Sequence, residues 1–169
     1  MDEVGRFRLG AMVGQGGTAE IRLATDLVSG DLVAVKRMRP DLLSEPEFAR
    51  RFEVEAALMQ QLDHPSILRV RDTGRDEAGA PWFAMDYHHR GSLAEVLFRQ
   101  PPTPGAIVGY AMELADALVH AHEQGVVHRD VKPDNVLLDD SDVAVLCDFG
   151  IALAPDDRHT RLGMRMGTP

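Results

Sequence analysis

Apolar positions alternate with polar ones through residues 6–13 and again through 19–26, with a glycine cluster at 14–17 between them. Alternation of period two predicts a pair of short strands joined at the glycines. Ser29-Gly30-Asp31 reads as a turn, and Leu32–Arg37 as a third strand. The period then lengthens. Phe48, Phe52, Leu58, Met59 and Leu62 mark one stripe of a helix, with Ser44 and Glu47 in capping-box spacing at its start and His64-Pro65 at its end. Strands follow near 67–73 and 81–87, split by the polar loop 74–80. Residues 88–92 read as a connector and 92–98 as a short helix. A proline-rich break at 100–104 precedes a long helix reaching about Gln124, with Ile107, Ala111, Leu114, Leu118 and Ala121 on one face. After Gly125 the pattern predicts short β segments and loops. Five strands and one helix, then a mainly helical part, make an α+β chain of two lobes, 1–87 and 88–169, hinged near 86–91.

The composition narrows the functions open to such a chain. It has 169 residues, 44% of them hydrophobic, and a net charge of −9. That acidity argues against a nucleic-acid binder, which would normally carry a basic face. No apolar run approaches the roughly 18 residues of a membrane helix, and the N-terminus is polar and acidic, unlike a signal peptide. The single cysteine, Cys147, fits a reducing cytoplasm, with any membrane anchor placed beyond Pro169. Of 18 basic residues only Lys36 and Lys132 are lysines. Where arginine replaces lysine almost everywhere, the two that remain mark positions needing a compact, rotatable ammonium.

Both lysines fall in segments that carry chemistry. Gly14-Gln15-Gly16-Gly17-Thr18-Ala19 lies between two strands. Glycines let a backbone approach a polyphosphate and aim N–H groups at it. Taken alone the segment is more commonly a glycine-rich hairpin turn, and the strand that follows argues against a dinucleotide fold, which needs a helix there. Val33-Ala34-Val35-Lys36 ends an apolar strand in an ammonium. Glu55 sits in the apolar stripe of the helix, where a carboxylate is costly unless paired, whereas Glu53 lies on the exposed side. His128-Arg129-Asp130-Val131-Lys132-Pro133-Asp134-Asn135 supplies a candidate base, a cation and a metal-ligating amide, and Asp148-Phe149-Gly150 follows 18 residues after Asp130.

The four motifs, in this order and spacing, resemble a protein kinase. Gly16-Gly17 before a small residue at 19, and Asp148-Phe149-Gly150-Ile151-Ala152, resemble the bacterial eukaryotic-like Ser/Thr branch. Lys132 in the catalytic loop favours Ser/Thr over Tyr specificity. The resemblance implies ATP with Mg²⁺, or Mn²⁺ in its place, and protein substrates. It implies that Gly14, Gln15, Gly16 and Gly17 cover the phosphates and that Lys36, paired with Glu55, holds them. Asp130 would accept the substrate hydroxyl proton, Lys132 would steady the phosphoryl group, and Asn135 and Asp148 would hold the metal. Val13, Ile21, Ala34 and Leu137 would enclose the adenine, Met85 would be the gatekeeper, and the backbones of Asp86 and His88 would face the adenine edge. Met59, Val70, His128 and Phe149 would stack as a regulatory spine. Arg129 implies control by a phosphate, for which Thr160 is the candidate, with Thr168 near Asp130 and Lys132.

Two departures qualify the resemblance. Ala19 replaces a third glycine, and the Ala-Pro-Glu motif with its later helices does not follow Gly167-Thr168-Pro169. The alternative reading is therefore a nucleotide-binding module that dimerises or docks a partner without catalysis. Leu114, Leu118, Val126 and Val127 are then expected to be exposed unless a second copy, a partner or the remainder of a kinase covers them. The pair His120 and His122, the acidic run 139–142 and His88-His89 read as a helix surface, a β-turn and a hinge surface.

Overall fold

The computed structural model describes residues 2–149, and these fall into two units. The first comprises residues 2–60 and 70–87, the second 61–69 and 88–149. Gly150, Thr160 and Thr168 lie outside the described residues.

The first unit is one antiparallel sheet with a helix on it. Its strands are β1 (Glu3–Val4), β2 (Phe7–Gln15), β3 (Ala19–Asp26), β4 (Leu32–Met38), β5 (Val70–Arg75) and β6 (Pro81–Asp86), in the order β1-β2-β3-β4-β6-β5. There are six strands and not five, because Glu3–Val4 adds a two-residue edge that pairs with Phe7 and Arg8. Residues 67–69 are not in β5, which starts at Val70. The alternation sorts the sheet into two faces. Val4, Phe7, Ala24, Val33, Val35, Trp82 and Ala84 form one buried cluster, with Phe7 edge-on to Trp82 at 5.7 Å. The opposite face carries Phe83, whose ring lies 5.2 Å from Phe52 of helix α1 (Pro46–Gln61). Each such buried aromatic contributes roughly 1.5–3 kcal/mol.

Helix α1 departs from the expected stripe. Its buried residues are Ala49, Phe52, Ala56 and Met59, while Phe48 and Leu58 are only half-buried. The large side chains flank the contact line and small alanines let the helix settle close to the sheet. Pro46 opens the helix in place of a Ser44–Glu47 box, as suits a residue with fixed φ and no N–H.

In the second unit α2 (Leu93–Arg99) does have a capping box. Ser92 Oγ accepts from the Glu95 amide at 3.2 Å, and the Glu95 carboxylate accepts from the Ser92 amide at 3.1 Å. A side chain at Gly91 would lie 2.1 Å from that carboxylate, and its φ is +82°, so the box depends on glycine. Helix α3 (Pro104–Glu123) packs on a two-stranded ribbon, β7 (Val136–Leu138) and β8 (Ala144–Leu146). Glu113 accepts from the Ala144 amide at 2.7 Å, and the Tyr110 hydroxyl donates to Asp142 at 2.9 Å. These contacts rotate α3 relative to the expected face. Tyr110, Ala117 and Ala121 are buried, whereas Ile107, Val108, Met112 and Val119 are exposed. The exposure expected at Leu114, Leu118 and Val126 is thus misplaced: the two leucines are half-buried, Val126 is buried, and Val127 alone of the four is exposed. Among the described residues no helix is long and apolar enough to cross a membrane.

A glycine holds the large aromatic of the sheet in place. Gly74 is the register partner of Trp82, and a Cβ there would lie 2.6 Å from the indole. Gly74→Ala should cost about 1–3 kcal/mol by overpacking. Gly109→Ala, on α3 with nothing within 4 Å, should instead add up to about 1 kcal/mol. Urea unfolding of the two variants measures both; equal stabilities would contradict the packing described.

Candidate active site

Cross-strand register gathers the candidate residues of the first unit on one face of its sheet. Gly14 pairs with Ile21, Ile21 with Lys36, Lys36 with Phe83, and Ala34 with Met85. Paired residues point to the same side of a sheet, so these side chains share the face opposite the Trp82 cluster. Val13, Gly14 and Gln15 lie at the end of β2, where irregular register at Leu9–Met12–Gly14 bends the strand. Gly16 and Gly17 form the turn itself, with the Gly16 amide donating to the Ala19 carbonyl at 2.8 Å. Ile21, Ala34 and Met85 are buried.

Lys36 is 5% exposed. Its Nζ donates to Glu55 Oε1 at 2.7 Å and lies 5.4 Å from the centre of the Phe83 ring. A buried ammonium without a carboxylate would be strongly destabilising, and removing one partner of such a pair commonly costs 3–5 kcal/mol. Glu53, by contrast, is exposed and bridges to Arg75 at 2.6 Å. Phe83 was not anticipated as a site residue. Its place two residues before Met85 on an alternating strand is the signal that could have found it. Asp86, at the end of β6, has its carboxylate held by Arg71, which also reaches Asp31 at 2.7 Å. His88 follows in the second unit and is half-buried.

The second unit brings Asp130, Lys132 and Asn135 together. Lys132 Nζ donates to Asp130 Oδ2. Asn135, which ends the short 3₁₀ turn Pro133–Asn135, donates from Nδ2 to the Asp130 carbonyl at 2.8 Å and to Oδ2 at 3.1 Å. Lys132 is the main reason the Asp130 carboxyl is held below its usual range. Arg129 has a φ of +66°. A left-handed non-glycine residue is uncommon and costs roughly 1–2 kcal/mol, and here it turns the chain so that Asp130 faces Lys132 and Asn135.

His128 fastens this loop to the segment after β8. Its ring is 1% exposed, Nε2 donates to the Cys147 carbonyl at 2.8 Å, and Nδ1 accepts from the Asp130 amide at 3.3 Å. The Cys147 amide donates to the Asn135 carbonyl at 2.9 Å. Phe149 lies 4.7 Å from the His128 ring. Between Cys147 and Phe149 in the chain, Asp148 takes a left-handed backbone, φ +54°, which aspartate tolerates better than most residues. Cys147 is buried, and Leu137 is buried on β7.

The donor set fits a hard cation. Both N–H groups of Asn135 are spent on Asp130, so its amide oxygen is the atom left for a ligand. Among the described residues no group of three or more His, Cys, Asp or Glu could hold a metal by itself. Mg²⁺ takes one or two protein oxygens and completes its shell with water and phosphate.

Burial pushes the His128 imidazole below its ordinary value. The folded protein therefore binds the proton less readily than the unfolded chain. The stability this contributes is full above about pH 6.5, the unfolded value, and is lost progressively as pH falls toward the folded one. Unfolding measured from pH 7.5 down to 5 should show a slope of up to about 1.4 kcal/mol per pH unit that His128→Gln lacks. Parallel pH profiles for the two proteins would rule out a buried neutral His128.

Residues 7–169 match the family model of the protein kinase domain. A probable serine/threonine-protein kinase of Corynebacterium efficiens is 40% identical over 90% of this chain, and one of Streptomyces coelicolor is 39% identical over 90%. Serine/threonine-protein kinase PknB of Mycobacterium tuberculosis is 38% identical over 90%. The chain spans about a quarter of these relatives: 24%, 23% and 25% of their lengths. A small unit of antiparallel sheet and one helix, a second unit begun by helices, and this match over nearly the whole chain establish that the protein belongs to the protein kinase domain family, among relatives that are bacterial serine/threonine-protein kinases.

Proposed function

We propose that the protein transfers the γ-phosphoryl group of Mg·ATP to serine or threonine hydroxyls of proteins, its own included. The observation that carries this reading is the Asp130–Lys132–Asn135 constellation. A carboxylate kept ionised by an adjacent ammonium is a weak base but a good hydrogen-bond acceptor for a hydroxyl, orienting its oxygen before transfer. The same ammonium would offset charge that develops on a moving phosphoryl group. Val13, Ile21, Ala34 and Leu137 would enclose the adenine, with Met85 as gatekeeper. The backbones of Asp86 and His88 would meet its edge. Gly14, Gln15, Gly16 and Gly17 would approach the phosphates, with Lys36 held to them by Glu55. Asn135 and Asp148 would hold Mg²⁺, or Mn²⁺, which when bound neutralises phosphate charge and fixes the phosphates in line.

A second reading is favoured by the exposed apolar face of α3, Ile107, Val108, Met112 and Val119. It is a nucleotide-binding module that dimerises or docks a partner through that face and transfers nothing.

Asp130→Asn keeps the shape of the loop and removes the proton acceptor. Transfer of labelled phosphate from ATP to protein serine and threonine should fall by at least about 10²-fold, with Mg·ATP affinity changed by less than about threefold. Wild-type protein that binds Mg·ATP and transfers no phosphate would replace the first reading with the second.

A further inference from the structure

We propose that His64 is a positioning residue for Asp148, acting through a turn that supplies the third strand of the β7–β8 ribbon. The inference rests on the reading of Asp148 as a magnesium ligand. The ribbon has three residues in each strand. Two strands this short are marginal alone and need a helix or a further strand against them; α3 packs on this ribbon, and a further strand is also present. Residues 64–68 supply it. Ile67 forms a parallel bridge with Leu146, the Leu146 amide donates to the Ser66 carbonyl at 2.9 Å, and the Leu68 amide donates to the Leu146 carbonyl at 2.9 Å. Leu146 stands two residues before Asp148; both its N–H and its C=O are held by this turn, while on its other edge it is the register partner of Val136 on β7.

His64 shapes the turn. The Ile67 amide closes it on the His64 carbonyl at 3.0 Å. The Ser66 amide donates to His64 Nδ1 at 3.1 Å, which leaves Nε2 as the donor to Asp116 Oδ2, also at 3.1 Å. The ring lies 5.3 Å from that of His120 on the same helix, α3. The imidazole is thus fixed at both nitrogens, by Asp116 on one side and by the turn it caps on the other. Its cap on Ser66 orients the carbonyl that holds Leu146. Asp148, with its left-handed backbone, depends on that anchorage upstream and on the His128–Phe149 contact downstream.

The two nitrogens can be tested separately in the full-length protein. Asparagine places an oxygen where Nδ1 stands and glutamine places its amide where Nε2 stands, so His64→Asn keeps the turn cap and His64→Gln keeps only the link to Asp116. Two readouts are made on wild type, His64→Ala, His64→Asn and His64→Gln: hydrogen exchange at the Leu146 amide, and the Mg²⁺ concentration that half-saturates binding of a non-hydrolysable ATP analogue. Loss of the cap should speed exchange at Leu146 by about fivefold in the Ala and Gln variants relative to amides of β3 and β4. It should raise the Mg²⁺ requirement by about threefold or more in the same two. His64→Asn should stay within about twofold of wild type on both. Unchanged exchange at Leu146 in His64→Ala, or faster exchange with an unchanged Mg²⁺ requirement, would overturn the proposal. So would an Asn variant no better than the Ala variant. A wild-type protein that binds no Mg²⁺–nucleotide would overturn the kinase reading itself, and with it the role given to Asp148, and the wild-type titration alone identifies that outcome.

Discussion

A buried ammonium has to have a carboxylate beside it, and much of the first unit follows from that requirement. Lys36 lies almost wholly out of solvent on β4, over the ring of Phe83. Glu55 can answer it only if α1 is held against that face of the sheet. Phe52 on Phe83 and the small residues Ala49 and Ala56 hold it there. Apolar packing thus sets the helix, the helix sets the carboxylate, and the carboxylate sets the ammonium. Each step is needed because the next group carries a charge that the interior would otherwise reject. Such a pair adds little net stability, since desolvation offsets most of the attraction. Its value is that it fixes a cation at a defined place.

The second unit uses a different device, a loop whose polar groups satisfy one another. Asn135 spends both amide hydrogens on Asp130, Lys132 closes on the same carboxylate, and His128 joins the loop to the Cys147 carbonyl. Left-handed backbone at Arg129 and at Asp148 is the cost. Both residues sit one step from a group that must point in a particular direction. Strain of this kind persists only where the surroundings over-determine it, and the buried His128–Phe149 contact supplies that constraint.

The sequence made much of this visible. Glu55 stood out because a carboxylate fell within an apolar stripe, and the two lysines because arginine had taken every other basic position. The strands of the sheet were legible from alternation, with ends displaced by a few residues. Three things were hidden, each for a physical reason. The face of α3 was misread because apolar residues lie nearly all round it, and only the contacts of Tyr110 and Glu113 with the β7–β8 ribbon choose the buried side. The start of α1 was misread because Ser44-x-x-Glu47 and Pro46 are competing start signals and the proline prevails. Residues 67–69 read as the start of a strand, and Ser66, Ile67 and Leu68 do make strand-like contacts, but to Leu146 within the second unit and not as part of β5. Periodicity reports that a segment is extended and says nothing about which partner it pairs with.

The central claim is that Glu55 acts on nucleotide through Lys36 and not by itself. A double-mutant cycle on the dissociation constant of Mg·ATP, with Glu55→Gln, Lys36→Met and the two combined, tests it most directly. The account predicts that Glu55→Gln weakens binding severalfold in the wild-type background and has no further effect once Lys36 is methionine. Additive effects, or unaltered binding in both single variants, would contradict it.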